Sequence, residues 1–439
     1  MKTIHIVGGG SAGLAAAYFI DKKKYNVIVY DKNISINKRK CPSIENKSPC
    51  SHCPTCSIIS GIGGAGLFSD GKMIFNSKVG LNLGDDICDD LNFIKDNFFK
   101  KFFTLQKIEV TSLTAHDKLK ERILTSGHNY IYSNEEYHVG TDVLKNNLIS
   151  LLCELTESGV QFGPSLTLED IERGKVCKDN IYLIATGRAG HRFARSVLDR
   201  YEIGYSGGPV DIGVRVEAIN APYEYNVTQA GVYDLKLRIR TSNEDVVRTF
   251  CVNPSGLVAA EHHDGFLLAN GYANSTDGVR TDNVNFAMLV KLNLGEKGNE
   301  IAELIATTAY KLGNNNLIVQ RVRDLWDRRR TTEDRLFRSR VIPTYPATPG
   351  DLTLCLPQRI LQDIQEGMAE LDKIVPGINI PDTLLYGVEA KLHGYRVDLD
   401  DNMCSSDPQL YFLGDVAGYS RGIVGSALTG YMAARHING

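Results

Sequence analysis

The chain has no excess of charge: its 439 residues hold 49 Lys and Arg against 52 Asp and Glu, a formal net charge of -3. No general field therefore draws it to nucleic acid or to an anionic membrane. It also has no apolar run near the roughly 18 residues that cross a bilayer, since GLAAAYFI stops at Asp21 and three lysines. MKTIHIVGGG shows no charged-then-apolar leader with a small-residue cleavage site, so the ten cysteines are expected in the reducing cytoplasm, without a disulfide framework. Neither a repeat nor a low-complexity tract stands out. These absences leave a small-molecule substrate as the expected partner. The length implies two domains, or one domain carrying a large insertion.

What is present begins at residue 3. TIHIV, GGGSAG, LAAAYFIDKK and YNVIVYD read as strand, glycine turn, helix and strand, which is a dinucleotide-binding unit. Gly8 permits the tight turn, Gly10 lets backbone approach a pyrophosphate, and Gly13 lets the helix pack closely on the sheet. Ser11 and Ala12 open the helix, whose amides face the phosphates with the positive end of the dipole. Asp31 ends the second strand, where it can accept ribose hydroxyls. The bland alternative is an ordinary glycine-rich turn.

Two later segments decide between NAD and FAD. DNIYLIATGR, with Thr186 and Gly187, and YFLGD, with Gly414 and Asp415, resemble the FAD-domain motifs of glutathione-reductase-type flavoproteins. The resemblance implies that the Thr-Gly turn lies near FAD and that Asp415 accepts from the ribityl chain. VAGYSRGIVGSALTGYMAARHI then carries Gly418 and a glycine-rich turn into a helix. In flavoproteins of this build, the first amides, here those of Gly422, Ile423 and Val424, point at the pyrimidine edge of the flavin and stabilise negative charge there. Ser420 and Arg421 just precede the helix as candidates to face substrate.

The middle of the chain changes texture near Gly207. VDIGVRVEAI, VYDLKLRIRT and FLLANGYA alternate like strands, and helical patterns follow them. The expected fold is α/β: a Rossmann-like FAD-binding domain of glutathione-reductase type, formed by residues 1–204 and 386–439, with an inserted α+β substrate domain at 205–385. RVRDLWDRRRTTEDRLFRSR, residues 321–340, holds eight arginines and four acids. Asp324 before Arg328 and Asp334 before Arg338 suggest helical ion pairs on a solvated face, with an anion-binding surface as the alternative.

Cys41, Cys50, Cys53 and Cys56, in a loop before GIGGAGLFSDGK, are spaced C-x8-C-x2-C-x2-C. Four thiolates suit zinc or an iron-sulfur cluster; a thiol-disulfide couple and reduced structural cysteines are the other readings. Ser60 stands where a ferredoxin-like run would place its fourth cysteine.

With the cysteine cluster, GIGGAGLFSDGK, DIGVRVEA, NGYA and GDVAGYSRGIVGSALTG together, the chain resembles the FAD-dependent dehydrogenase family of largely unassigned function. That resemblance implies that Gly63, Gly64, Ala65, Gly66, Ser69, Asp70, Gly71 and Lys72 wrap the flavin side of FAD. The expected activity is hydride transfer between flavin and a small organic substrate, with a nicotinamide or a protein as electron partner. Candidate catalytic groups are Lys72, Arg215, His393, Tyr419 and Arg421. His393 would shuttle a proton and Arg215 would hold a substrate carboxylate, against ordinary structural roles for each. Two other functions compete: a flavin/iron-sulfur electron-transfer protein using the four cysteines, and an FAD-containing RNA-modification or sensing protein using the arginine segment.

Overall fold

The computed structural model describes residues 1–84, 87–107, 109–130, 135–274, 278, 280–392 and 395–439. Ile4, Ile6 and Val7 on β1 (Lys2–Val7) and Val27 and Val29 on β2 (Tyr25–Asp31) are all buried. Strands covered on both faces pair in parallel, and these do. The complete sheet has five parallel strands in the order Leu410–Phe412, Asn180–Ile184, β1, β2, Gln161–Pro164. The strand nearest the C-terminus thus lies beside the Ala-Thr-Gly strand, and both ends of the chain build one body.

Small residues set its closest packing. The helix α1 (Ser11–Phe19) buries Ala12, Ala15, Ala16 and Ala17, and the C-terminal helix Gly422–Asn438 lies against it. A Cβ on Gly430 would come within 2.2 Å of the Ala12 carbonyl oxygen, and one on Gly13 within 2.0 Å of the Gly8 carbonyl oxygen. Any side chain at either position would force the layers apart.

The second body is an eight-stranded sheet whose long central strands, Leu384–Lys391, Val210–Ile219, Asn283–Leu292 and Val246–Asn253, are antiparallel. Helices Gly298–Leu312 and Gln358–Ile374 contribute Ala302, Ala306, Ile364 and Met368 to the same core as Val214, Phe286 and Met288 of the sheet. This sheet also takes the strand Asn129–Tyr130 from far upstream of residue 205, and Leu384–Lys391 runs past residue 385. A two-residue strand has no alternation to read.

The arginine segment departs from its expected pairing. It forms two short helices, Val322–Trp326 and Glu333–Phe337. Because the first ends at Trp326, Asp324 does not meet Arg328; it is fully buried and binds Arg329 at 2.8 Å, while Asp334 does pair with Arg338.

Candidate functional site

The first glycine turn is walled by backbone. A Cβ on Gly8, where φ is +115°, would lie 2.3 Å from the Ala185 carbonyl oxygen, so this turn presses on the Ala-Thr-Gly strand. The Gly9 amide donates to the Asp31 carboxylate at 2.7 Å, anchoring the acid at the end of β2. Burial raises the affinity of Asp31 for its proton, against the opposing pull of that amide and of the Arg39 guanidinium.

The second glycine loop sits directly on the first. The Gly63 amide donates to the Gly9 carbonyl at 2.7 Å, and a Cβ on Gly64 would lie 3.0 Å from the Gly10 Cα. Ala65–Phe68 makes one 3-10 turn. A Cβ on Gly66 would meet the Ile423 side chain at 2.9 Å, and Ser11 Oγ donates to the Ile423 carbonyl at 2.7 Å. Gly10, Gly64 and the start of the C-terminal helix therefore converge.

From the opposite side come Asp415 and the residues around it. Ser426 Oγ donates to Asp415 at 3.0 Å, and Arg188 approaches its other oxygen at 3.3 Å. The Gly414 amide donates to Thr429 Oγ1 at 2.8 Å, holding this turn on the C-terminal helix. Gly418 continues the turn, with its amide 3.3 Å from the Asp415 carbonyl. Added Cβ atoms on Gly187 and Gly422 would meet nothing within 4 Å, so both face open space. Ser420, buried beside Gly425, carries a hydroxyl with no hydrogen-bond partner.

Backbone-lined glycine turns, the Asp31 and Asp415 carboxylates and the unpartnered Ser420 hydroxyl form a set that suits an extended dinucleotide cofactor. Asp31 would serve the ribose, the α1 turn the pyrophosphate, and Asp415 the ribityl chain. Ile423, in the first turn of the last helix between Gly422 and Val424, lies against Gly66.

The expected catalytic groups are placed very differently from one another. Lys72 is buried, with its ammonium between Asp70 at 2.7 Å and Asp234 at 2.9 Å. These two carboxylates outweigh burial and raise its pKa well above the ordinary lysine value. Gly71 is fastened to Val139, Asp70 to Gly140, and Ser69 to Thr141 and Ala273, by backbone and hydroxyl hydrogen bonds. Arg215 is wholly buried; it binds Asn285 Oδ1 at 2.6 and 2.9 Å and the Cys251 carbonyl at 2.8 Å, with Glu389 at 3.4 Å. A Cβ on Gly271 would sit 1.8 Å from the Arg215 guanidinium, which explains the glycine of NGYA. Lys72 and Arg215 are thus internal charges, each held by buried partners of its own.

The Tyr419 hydroxyl donates a hydrogen bond to the Val397 carbonyl at 2.9 Å, and Arg396 stacks 3.5 Å over its ring. Of the described candidates, Arg421 is the open one: its side chain is 41% exposed, 3.9 Å from Asp211, and its amide binds the Gly80 carbonyl. His393 lies outside the described residues.

Two residues escaped sequence reasoning. Arg39 is 1% exposed, and its guanidinium donates to the carbonyls of Gly61, Ile62 and Gly64 at 3.2, 2.7 and 2.8 Å and to that of Ser57. Within KRK it looks like a surface cation. Arg188 directly follows the Ala-Thr-Gly motif, and that adjacency was the available signal. The four clustered cysteines are partly buried thiols around one small cavity. Among the described residues, no group of three or more His, Cys, Asp or Glu is arranged to hold a metal ion, and no helix is long and apolar enough to cross a membrane.

The parallel sheet and the glycine cradle define a dinucleotide-binding protein. Residues 209–392 match the family described as FAD-dependent protein, C-terminal domain-like, and residues 6–36 match the NAD(P)-binding Rossmann-like domain. Both descriptions agree with a flavoprotein that holds FAD on a Rossmann-like unit. An uncharacterised protein of Clostridium beijerinckii is 27% identical, over 98% of this chain and 80% of its own length. Solved structures give weaker likenesses. Glycine oxidase from Bacillus cereus is 10% identical with a TM-score of 0.37, covering 100% of this chain and 95% of its own. L-proline dehydrogenase from P. horikoshii is 10% identical with a TM-score of 0.38, covering 99% and 93%.

Proposed function

We propose that this protein is an FAD-dependent oxidoreductase that moves hydride between FAD and a small organic substrate at the start of the C-terminal helix. The observation that carries the reading is the meeting of Gly10, Gly64 and Ile423, and the reading assigns Asp31 and Asp415 to the two halves of one cofactor. The layout is read as the glutathione-reductase type, with the Gly-Asp strand returning beside the Ala-Thr-Gly strand.

Bound FAD supplies the hydride chemistry. The chain's own residues do the rest. First-turn amides of Gly422, Ile423 and Val424 offer positive potential to negative charge at the ring. Arg188 orients Asp415, and Arg421 at the open side offers a cation to an anionic group of the substrate.

FAD-loaded protein mixed anaerobically with a panel of small carboxylates, and separately with NADH and NADPH, tests this. The expected result is bleaching of the oxidised flavin by at least one donor, with Arg421→Ala raising the concentration required by about 10-fold or more. Failure of every donor would sink the dehydrogenase reading and leave FAD binding standing.

A further inference from the structure

We propose that Cys41, Cys50, Cys53 and Cys56 form the binding site of an iron-sulfur cluster. Cys41 caps the short helix Pro42–Asn46, and the other three follow in the loop that leads to the second glycine turn. Although residues 41 and 56 are separated by a helix and a turn, all four side chains line one cavity, closed on its far side by Ala260 and His262 of strand Leu257–His263. Each is a free, partly buried thiol. Four reduced thiols around one space are a donor set for thiophilic iron, and ordinary core cysteines have no need to share a void.

The geometry discriminates between occupants. One zinc ion requires its sulfurs to converge at about 2.3 Å from a single point. No group among the described residues is arranged to hold an ion in that way. The four thiols surround a void that admits a water-sized sphere. A polynuclear cluster presents iron at separate corners, each taking one cysteine, so it suits sulfurs spread around a space. The second body adds a further feature of such sites: the His262 amide donates to Cys56 Sγ at 3.4 Å, and hydrogen bonds to cluster sulfurs tune their potentials. His262 Nδ1 also lies 3.1 Å from the Cys53 carbonyl, fixing this turn.

The site has a defined place relative to the cradle. Ser57, next to Cys56, shares the Arg39 guanidinium with Gly61, Ile62 and Gly64, and Gly63 bonds to Gly9. Binding of the cluster is nonetheless independent of the flavin reading.

The test uses the full chain purified anaerobically, loaded with FAD and reconstituted with ferrous and ferric iron and sulfide. Iron, acid-labile sulfide, zinc and FAD are measured per chain on one sample, together with its electron paramagnetic resonance spectrum after reduction. The expected result is iron and sulfide bound in equal amounts, with an iron-sulfur signal. In the double variant Cys53→Ser, Cys56→Ser both fall at least 10-fold while FAD content is kept, and Cys88→Ser, at an exposed thiol outside the cavity, changes neither. Native alkylation read by mass spectrometry keeps the proposal testable if the double variant fails to fold: the four cysteines should be shielded in reconstituted wild-type protein and labelled once iron is chelated. Folded, FAD-containing protein that takes up no iron and sulfide, that holds stoichiometric zinc instead, or whose four thiols label equally before and after chelation would overturn it.

Discussion

The Arg39 guanidinium donates to the Ile62 carbonyl at 2.7 Å, and this contact ties the cysteine loop to the second glycine turn. The same side chain reaches Ser57, Gly61 and Gly64. One buried cation therefore holds the turn that carries Gly63 onto Gly9. Cysteines and glycines share a stretch of sequence because they share this brace.

Arg39→Met keeps the volume and removes every donor. Four buried carbonyls lose a charged partner, so unfolding free energy should drop by about 3–5 kcal/mol and FAD should bind more weakly. Denaturant unfolding with and without FAD measures both. A loss below about 1 kcal/mol would show that the loop holds its shape without the brace.

Asp415→Ala removes the acceptor that Ser426 and Arg188 hold in place. A hydrogen bond to a charged group contributes about 1.5–3 kcal/mol, which corresponds to FAD affinity falling by about 10-fold to 150-fold. Titration by quenching of flavin fluorescence reads it. Unchanged affinity would remove Asp415 from the cofactor site.

Gly64 and Gly422 separate strain from space. Both have positive φ, +67° and +77°, but only an added Cβ on Gly64 meets the Gly10 backbone. Gly64→Ala should cost about 1–3 kcal/mol in stability and also weaken FAD binding. Gly422→Ala should cost only about 1–2 kcal/mol, from the backbone conformation alone. Equal effects on both readouts would deny that the two glycine turns press together.

Glu136 should make stability depend on pH near neutrality. Burial, aided by Asp234 and Asp70 and opposed by Lys236 and Lys72, pushes its carboxyl up to about 7, and its Oε1 has no hydrogen-bond partner. In an unfolded chain a glutamate titrates near about 4.3. Between those values the folded state keeps a proton that the unfolded state has lost, so stability falls as pH rises through the window. Glu136→Gln should flatten that slope and stabilise the protein above neutrality by about 1–3 kcal/mol. Thermal melts across the window check the sign; an unaltered slope contradicts it.

The sheet of the first body was legible because its strands are apolar runs that end in motifs with fixed chemistry, as β1 ends at Gly8 and β2 at Asp31. The second body was legible as alternating strands, but not its reach back to Asn129–Tyr130, where pairing comes from the partner strand Leu237–Arg240 and not from local pattern. Side-chain roles were the least legible. Arg215 and Lys72 stand in motifs that suggest function, yet Asn285, Glu389 and Asp234 close around them from distant parts of the chain, with Asp70 of the same loop completing the Lys72 pair. Arg39 went unread for the same reason, since its four carbonyl partners exist only once the loop is folded.

The most direct test of the account is the flavin content of the intact chain. Recombinant protein folded in excess FAD, freed of unbound cofactor by gel filtration and then denatured, should release about one FAD per chain. A folded, monodisperse protein that emerges colourless and releases none would contradict the cradle and the chemistry built on it.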